Sequence, residues 1–319
     1  MHLPKGVLLT NKSLLEKRLY LLPSFGKKTY LVMYLFKRVD QLRTFLNGAR
    51  TNNRTVGFVP TMGALHQGHL SLVEQSLAEN QVTVASIFVN PTQFNEASDL
   101  EKYPRTPGKD LEKLAKVGCT VAFLPEVSDM YPPGLDTTLE LDFGSLDKTM
   151  EGSERPGHFN GVAQVVNRLL EIVTPEYLYM GQKDFQQQLI VREMARLLKL
   201  NTKVVTVPTA REDDGLAMSS RNIRLTPEAR AQAPVLHQTL QAAKERLANG
   251  EKVEAIESWA LSTLQQESQL RPEYFSIVDA DTLASLSNAS SLPKRVVACT
   301  AVWAGDIRLI DNLLLFGEL

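Results

Sequence analysis

The feature that most restricts the fold of this chain is a regular alternation between short apolar runs and amphipathic stretches. Stretches with apolar residues at helical spacing, such as residues 161–173 and 186–200, lie between the runs. Because strands of a parallel sheet are buried on both faces and are joined by helical crossovers, this order predicts a parallel sheet covered by helices on both sides. The runs with the β-branched, continuously apolar character of buried strands are residues 55–60, 82–90, 119–125, 176–181 and 203–208.

The pattern changes beyond about residue 209. Thr226 followed by Pro227 has the form of an N-cap and a first-turn proline, and it predicts a long helix that runs to about Gly250. Later apolar runs indicate strands, the last two joined by a tight turn at Gly305 and Asp306. The predicted fold class is therefore α/β, with a Rossmann-like doubly wound parallel sheet at residues 33–209 and a smaller C-terminal α+β domain at residues 210–319.

The first 32 residues have a different composition from the rest of the chain. They contain six Lys and Arg residues but only one acid, Glu16, and they show no sustained period. We expect a disordered extension here, and the alternative of a transit peptide is disfavoured by the low serine content. The apolar stretch at residues 29–36 is much shorter than the roughly 20 residues of a membrane span, so we expect neither anchor nor signal.

Charge and cysteine content exclude several classes of protein. The chain has 35 Lys and Arg residues against 36 Asp and Glu residues, so no overall field attracts nucleic acid or an anionic membrane. Cys119 and Cys299 lie far apart and form no CxxC or Cys/His cluster. A disulfide framework or structural zinc site is therefore not expected, and a cytoplasmic location fits this cysteine usage.

The sequence PTMGALHQGHL at residues 60–70 follows the first strand run and opens a helix. His66 and His69 are three residues apart, so they share one face of the first turn, and Gly68 leaves room between them. Free backbone N–H groups at a helix start attract phosphate, and this arrangement predicts a binding site for the triphosphate of ATP.

Two other interpretations of these histidines are simple packing or capping and a zinc site. A glycine in a first helical turn costs about 1 kcal/mol relative to alanine and gives no packing benefit, which favours a ligand. No third His, Cys or acid stands at zinc-ligand spacing nearby, so zinc is disfavoured.

The stretch GLAMSSRNIRL at residues 215–225 contains a second group of donors. Ser219, Ser220 and Arg221 offer two hydroxyl groups and a guanidinium, which suit the β- and γ-phosphates as pyrophosphate leaves. Taken alone, the same stretch is equally consistent with a plain loop.

The stretch MGQKDFQQQ at residues 180–188 follows a strand and opens a helix. Gly181 permits close approach of a ligand and Lys183 supplies a positive charge. Asp184 can accept hydrogen bonds from a ribose, although by itself it is better interpreted as a helix N-cap.

These stretches, together with SIFVNPTQF at residues 86–94 and YPRTP at residues 103–107, closely resemble the pantothenate synthetases (pantoate–β-alanine ligases) over roughly residues 33–319. HxGH alone would indicate only the nucleotidyltransferase superfamily. The motifs PTMGALHxGH, FVNPxQF, KDxQQ and DGLAMSSRN in this order are highly specific. The resemblance implies an AMP-forming ligase of coenzyme A biosynthesis that joins pantoate to β-alanine through a pantoyl adenylate. It also implies ATP as substrate, Mg²⁺ as cofactor and a homodimer.

The resemblance further implies roles for individual residues. It gives catalytic roles to His69, His66 and Lys183, and it assigns Gln93, Gln187 and Asn90 to pantoate and β-alanine. Residues 158–162 are expected to shape the pantoate pocket. The residues assigned to ATP are Met62, Gly63, Ala64, Leu65, His66, Gln67, Gly68, His69, Gly181, Gln182, Lys183, Asp184, Ala210, Met218, Ser219, Ser220 and Arg221.

The chain departs from the family pattern after YPRTP. An acidic run is usual there, but this sequence has Gly108, Lys109 and Asp110, which leaves Asp110 as the candidate magnesium contact. Gln67 and Gln182 stand where relatives often have Glu. Two other functions remain open, a different adenylyltransferase that uses the same histidines and a non-catalytic nucleotide-binding protein.

Overall fold

The structure is a computed structural model that describes residues 7–9, 18–20, 32–91, 97–287, 289 and 291–318. Gln93 lies outside the described residues, so its predicted role in substrate binding stays a prediction. The chain divides into two compact units. Unit 1 comprises Met1–Leu141, Asn160–Met180 and Met194–Val207, and unit 2 comprises Asp142–Phe159, Gly181–Glu193 and Pro208–Leu319. The domain boundary expected at residue 209 stays a prediction.

Two short strands precede the first unit's sheet in the chain. Val7–Leu9 (β1) pairs antiparallel with Arg18–Tyr20 (β2). The remaining residues of the segment 1–31 lie outside the described part, so the disordered extension expected there stays a prediction.

Unit 1 is built on a six-stranded sheet. The strand order is β3-β6-β5-β4-β7-β8, and the pairs from β3 through to β7 are parallel. The strand order therefore reverses between β4 and β7, which is the switch point of a doubly wound sheet. The strands are Tyr34–Phe36 (β3), Val56–Thr61 (β4), Val82–Ile87 (β5), Val121–Phe123 (β6), Tyr177–Gly181 (β7) and Lys203–Val207 (β8).

The two helices predicted at residues 161–173 and 186–200 are present, at His158–Val173 and Phe185–Leu197. The α/β fold class predicted from the alternation is confirmed. The apolar faces of the helices form much of the core, and Leu42, Leu46 and Val73, for example, are fully buried. The helices are Val39–Thr51 (α1), Gln67–Glu79 (α2), Ala97–Lys102 (α3), Pro107–Lys116 (α4), Val127–Met130 (α5), Glu151–Glu154 (α6), His158–Val173 (α7) and Phe185–Leu197 (α8).

Helix α2 packs unusually close to strand β4. A Cβ atom at Gly57 would lie 2.2 Å from Ser76 Oγ and 2.6 Å from Asn80 Nδ2, so any other residue at position 57 would clash. Ser76 Oγ is also 2.9 Å from Thr83 Oγ1 on β5. This contact fixes the distance of α2 from the sheet.

Unit 2 contains a three-stranded antiparallel sheet of order β11-β10-β9. Its strands are Leu270–Asp279 (β9), Val296–Ala304 (β10) and Ile307–Phe316 (β11). The last two are joined at Gly305, whose φ of 57° allows the tight turn, so the predicted hairpin is confirmed. The helices Val235–Ala248 and Val253–Gln265 contribute to one apolar cluster with the sheet, through residues such as Leu240 and Ile256.

The single helix predicted from Thr226 to Gly250 is wrong in one respect. The structure has two helices, Pro227–Gln232 (α9) and Val235–Ala248 (α10), followed by Val253–Gln265 (α11). Thr226 does cap α9, since its Oγ1 accepts a hydrogen bond from the Ala229 N–H at 3.2 Å. The break falls at Pro234, because proline has no N–H to donate and its ring clashes with the preceding turn.

A buried charged cluster ties α6 to the sheet of unit 2. Arg308 donates to both carboxylate oxygens of Glu151, at 2.7 and 2.8 Å, and to Glu273 at 2.7 Å. Tyr274 Oη also donates to Glu151 at 2.7 Å. Burial alone would raise the pKa of Glu151, but the hydrogen bonds and charge of Arg308 hold that pKa below the usual glutamate value.

In the described part of the chain, no helix has both the length and the apolar character needed to cross a membrane.

Candidate active site

The loop between β4 and α2 has a strained backbone. Gly63 has a φ of 83° and Ala64 a φ of 49°, and both values lie in the left-handed region. Thr61, at the end of β4, accepts a hydrogen bond from the Gly63 N–H at 3.2 Å through its hydroxyl. The loop is therefore held in one shape before the helix begins.

Asp110 of α4 holds the same loop from the other side. It is fully buried, and its carboxylate accepts hydrogen bonds from the backbone N–H groups of Ala64 at 3.0 Å and Leu65 at 2.8 Å. Thr106 Oγ1 lies 3.2 Å from the same carboxylate. Both carboxylate oxygens thus hold the loop in position, and the magnesium contact predicted for Asp110 stays a prediction.

His66 and His69 lie at the start of α2, as the sequence predicts. His66 is the N-cap residue and His69 is at the third helical position, and their ring centroids are 4.0 Å apart. Both residues are half-buried, so neither is sealed in the apolar interior. The first turn contains no acidic residue, so no carboxylate of this turn offsets the positive end of the helix dipole.

A backbone hydrogen bond indicates which nitrogen of the neutral His69 ring carries the proton. The His66 N–H donates to Nδ1 of His69 at 3.3 Å. A neutral imidazole that accepts at Nδ1 carries its proton at Nε2. His69 is therefore a hydrogen-bond donor through Nε2 in its neutral form.

Asn90 lies just after β5 and is fully buried. Its Oδ1 accepts a hydrogen bond from Tyr131 Oη at 3.2 Å. Burial raises the pKa of Tyr131 to about 12, so the phenol keeps its proton and remains a donor to Asn90. This contact orients the amide of Asn90, whose predicted role in substrate binding rests on the family resemblance and stays a prediction.

Unit 1 has a cavity of about 410 Å³ beside the loop of residues 62–65. Its walls come from the ends of β4, β5 and β6 and from the start of α4, and most of the lining is apolar. This position fits the rule that open α/β sheets bind ligands beyond the carboxyl ends of their strands. The lining includes Met62, Gly63, Ile87, Phe88, Thr106, Pro107, Asp110, Leu124 and Pro125.

In unit 2, a 3₁₀ turn of Gln182–Asp184 connects β7 to α8. Gln182 is buried, and the half-buried ammonium of Lys183 lies 3.8 Å from the Asp184 carboxylate. As the sequence predicts, this segment follows a strand and leads into a helix. Its contact with ATP stays a prediction.

The three glutamines at the start of α8 have different environments. Gln186 is buried, accepts from the Glu151 N–H at 3.1 Å and donates to the carbonyls of Leu146 and Thr149. Gln188 is buried and donates to the Gly181 carbonyl at 2.6 Å. Gln187 is half-buried and is the most accessible of the three, and its assignment to substrate stays a prediction.

Residues 210–218 form a narrow turn that leads into the predicted phosphate-binding stretch. The Met218 N–H donates to the Ala210 carbonyl at 3.0 Å, and Gly215 has a φ of 94°. Ser219, Ser220 and Arg221 are all half-buried, and the Arg221 N–H donates to Ser219 Oγ at 3.2 Å. The stretch is an ordered turn with accessible side chains.

Within the described ranges, no group of three or more His, Cys, Asp and Glu side chains is placed to bind a metal ion.

Comparisons with known proteins extend over both units. The sequence pattern of the Pantoate-beta-alanine ligase family matches residues 34–314. The chain is 46% identical over 281 residues to the pantothenate synthetase of Porphyromonas gingivalis, which covers 88% of this chain and 99% of that protein. It is 43% identical over 284 residues to the pantothenate synthetase of Thermotoga neapolitana, which covers 89% and 100%.

Solved structures give the same result. The pantothenate synthetase of Thermus thermophilus matches with a TM-score of 0.83 and 43% identity, over 89% of this chain and 100% of that one. The pantoate-beta-alanine ligase of Francisella tularensis, solved in complex with beta-gamma ATP and beta-alanine, matches with a TM-score of 0.71 and 33% identity, over 89% and 98%.

Proposed function

Because this chain belongs to the pantoate–beta-alanine ligase family, we propose that it joins pantoate to β-alanine with ATP through a pantoyl adenylate. The observation that carries the proposal is the family match over residues 34–314, which includes every motif that the sequence analysis connects with ATP. It favours the ligase over a different adenylyltransferase and over a non-catalytic nucleotide-binding protein.

The chemistry requires two steps. In the first, a carboxylate oxygen of pantoate attacks the α-phosphorus of ATP, the bond to the β-phosphate oxygen breaks, and pyrophosphate leaves. In the second, the amine of β-alanine attacks the acyl carbon and loses a proton, and AMP leaves with the electrons of the acyl–oxygen bond. Activation is needed because a carboxylate has no leaving group that an amine can displace.

His69 is the proposed catalytic donor of the first step. Its Nε2–H can hydrogen-bond to phosphate oxygens as negative charge grows there, and the start of α2 adds the positive end of a helix dipole. His66, whose ring centroid is 4.0 Å away, is the proposed second donor. Met62 and Gly63 precede them in a loop that Asp110 holds in shape.

The segments of unit 2 supply the other proposed contacts. Lys183 contributes a charge for the phosphates, and Ser219, Ser220 and Arg221 contribute donors for the departing pyrophosphate. Gln187 is proposed to bind pantoate, because its amide both donates and accepts hydrogen bonds. It is also more accessible than the neighbouring Gln186 and Gln188. Asn90 and Gln93 are proposed to contact pantoate and β-alanine.

Magnesium is proposed to bind mainly to the phosphates of ATP and to water. The donor set of the described residues does not form a metal site of its own, since the carboxylate of Asp110 is already occupied by backbone N–H groups. Bound magnesium would neutralise part of the negative charge of the phosphates.

The experiment that tests this function follows pyrophosphate and AMP separately. With ATP and pantoate alone, labelled pyrophosphate should exchange into ATP, and AMP should appear in quantity only after β-alanine is added. Exchange without pantoate, or a stable dinucleotide product, would contradict the ligase.

The homodimer implied by the resemblance is also proposed, and light scattering would measure it directly. Two free, buried cysteines fit work in a reducing cytoplasm.

A further inference from the structure

Two successive polar residues are buried in strand β11, whose other residues apart from Arg308 are apolar. Asp311 is 3% exposed and Asn312 is 2% exposed, whereas their neighbours in the strand are Ile310 and Leu313. A carboxylate and an amide lose their contacts with water when buried, so they are tolerated only if the protein provides partners. Their partners lie in the two segments of unit 2 that the proposed function connects with ATP.

Asn312 contacts the turn that carries Lys183. Its Nδ2 donates one hydrogen bond to the Gln182 carbonyl at 3.0 Å and one to the Lys183 carbonyl at 2.8 Å. Two successive peptide groups are thereby fixed at a single amide. Because the Cα atom of Lys183 lies between these two peptide groups, the direction of its side chain depends on Asn312.

Asp311 contacts the other segment, through Arg211. The guanidinium donates to both carboxylate oxygens, at 2.7 and 3.0 Å, in the two-pronged geometry that is the strongest form of this pair. The same guanidinium donates to the Gly215 carbonyl at 3.1 Å. The turn of residues 210–218 is therefore held at both its start and its tip.

Consecutive residues of a strand point to opposite faces, so one dipeptide can bind two segments at once. On the basis of the proposed function, we infer that Asp311 and Asn312 are positioning residues that hold the Lys183 turn and the turn leading to Ser219 in the arrangement that binds ATP. Neither residue needs to touch the nucleotide to do this.

The test is a double-mutant cycle. Asn312→Ala should weaken ATP binding, measured by calorimetry, and lower kcat/KM for ATP by about 10- to 100-fold, because a small misplacement of a charged donor is costly. In a Lys183→Ala background, the same Asn312→Ala substitution should have little further effect on ATP affinity. Equal effects of Asn312→Ala with and without Lys183 would overturn the inference.

Thr300→Val is the matched control for a general loss of stability. Thr300 is fully buried on β10 directly opposite Asp311, and its hydroxyl donates to the Tyr274 carbonyl of β9 at 2.8 Å. This variant should lose stability yet keep the wild-type affinity for ATP. If its ATP affinity falls as much as that of Asn312→Ala, the positioning role is wrong.

Arg211→Lys tests the positioning role of Asp311, and it keeps the positive charge beside that carboxylate. Loss of the two-pronged contact should raise KM for ATP without a matching fall in melting temperature, and an unchanged KM would contradict the role of Asp311. Pyrophosphate exchange by the wild-type enzyme, measured in the same experiment, separates the proposed function from the positioning role of Asp311 and Asn312. Absence of exchange would contradict the proposed function, whereas normal exchange with unaffected variants would contradict only this inference.

Discussion

The carboxylate of Asp110 accepts a hydrogen bond from the backbone N–H of Leu65 at 2.8 Å, although the two residues are 45 positions apart in the sequence. A second bond, from Ala64, joins the same carboxylate at 3.0 Å. The loop that ends at His66 is therefore shaped by a helix that follows a different strand. Its left-handed backbone at Gly63 and Ala64 persists because these contacts compensate for its strain.

Replacing Asp110 should damage ATP use without changing the need for metal. In Asp110→Asn one oxygen becomes an N–H group that faces a backbone donor, so we expect a loss of about 1–3 kcal/mol in unfolding free energy and a higher KM for ATP. The Mg²⁺ concentration for half-maximal activity should stay as in the wild type. Lys109→Ala, at an exposed neighbour on α4, is the control. A large rise in the Mg²⁺ requirement of Asp110→Asn would restore the metal-ligand role.

Removal of the His69 ring should slow adenylate formation. We expect His69→Ala to lower pantoate-dependent pyrophosphate exchange by about 10² to 10³, the usual effect of losing one donor to developing charge. Circular dichroism should show a folded protein. Gln75→Ala, an exposed position on the same helix, should keep full exchange. Wild-type exchange by His69→Ala would remove its catalytic assignment.

The two cysteines should be unreactive in the native enzyme. Burial raises the pKa of Cys119 to about 12, and burial also raises the pKa of Cys299 well above its ordinary value. Thiolate is the reactive form, so a thiol reagent at about pH 8 should label neither residue quickly and should leave activity unchanged. Both thiols should react after unfolding in urea. Rapid labelling of the folded enzyme would mean that one strand opens readily.

Acid should weaken unit 2 through Glu151. The pKa of this carboxyl is lowered in the folded protein, so its stabilising effect is complete above the pKa of the unfolded side chain and disappears as pH falls through the lowered value. Glu151→Gln should cost about 1.5–3 kcal/mol at neutral pH, and the difference from wild type should shrink in acid. Urea unfolding at a series of pH values measures this.

Glu154→Gln is the control for that experiment, because Glu154 is exposed on the same short helix. Its stability should follow that of the wild type at every pH. A difference between wild type and Glu151→Gln that stays constant from neutral to acidic pH would contradict the lowered pKa.

The sequence predicts the long periodic elements well and the short ones poorly. The strands near residues 82–87 and 203–207 and the HxGH helix appear where their patterns place them, since each is set by local apolar spacing. Strand β3 is not predicted, because Tyr34–Phe36 has only three residues and lies within a longer apolar stretch. Pro234 is the signal for the break between α9 and α10, since proline is disfavoured inside a helix.

Contacts between distant parts of the chain are beyond reach of the sequence patterns. Nothing near Asp110 indicates that it faces Ala64 and Leu65, because that depends on how α4 packs. Asp311 and Asn312 do carry a visible signal, two polar residues in an apolar run, but their partners cannot be deduced from it. The accessible amide of Gln187 likewise becomes distinct from its neighbours only when α8 is packed.

The close approach of Ser76 to Gly57 connects the packing of α2 with the position of His69 on the same helix. An added methyl group at position 57 requires the Ser76 and Asn80 side chains to move, and where α2 moves with them its shift is on the order of 1 Å. A displacement of that size is enough to lower a rate about 10²-fold if it reaches a reacting group, and His69 is on the same rigid rod about two turns away. Inherited or engineered changes at such remote, chemically silent positions can therefore imitate the loss of a catalytic side chain.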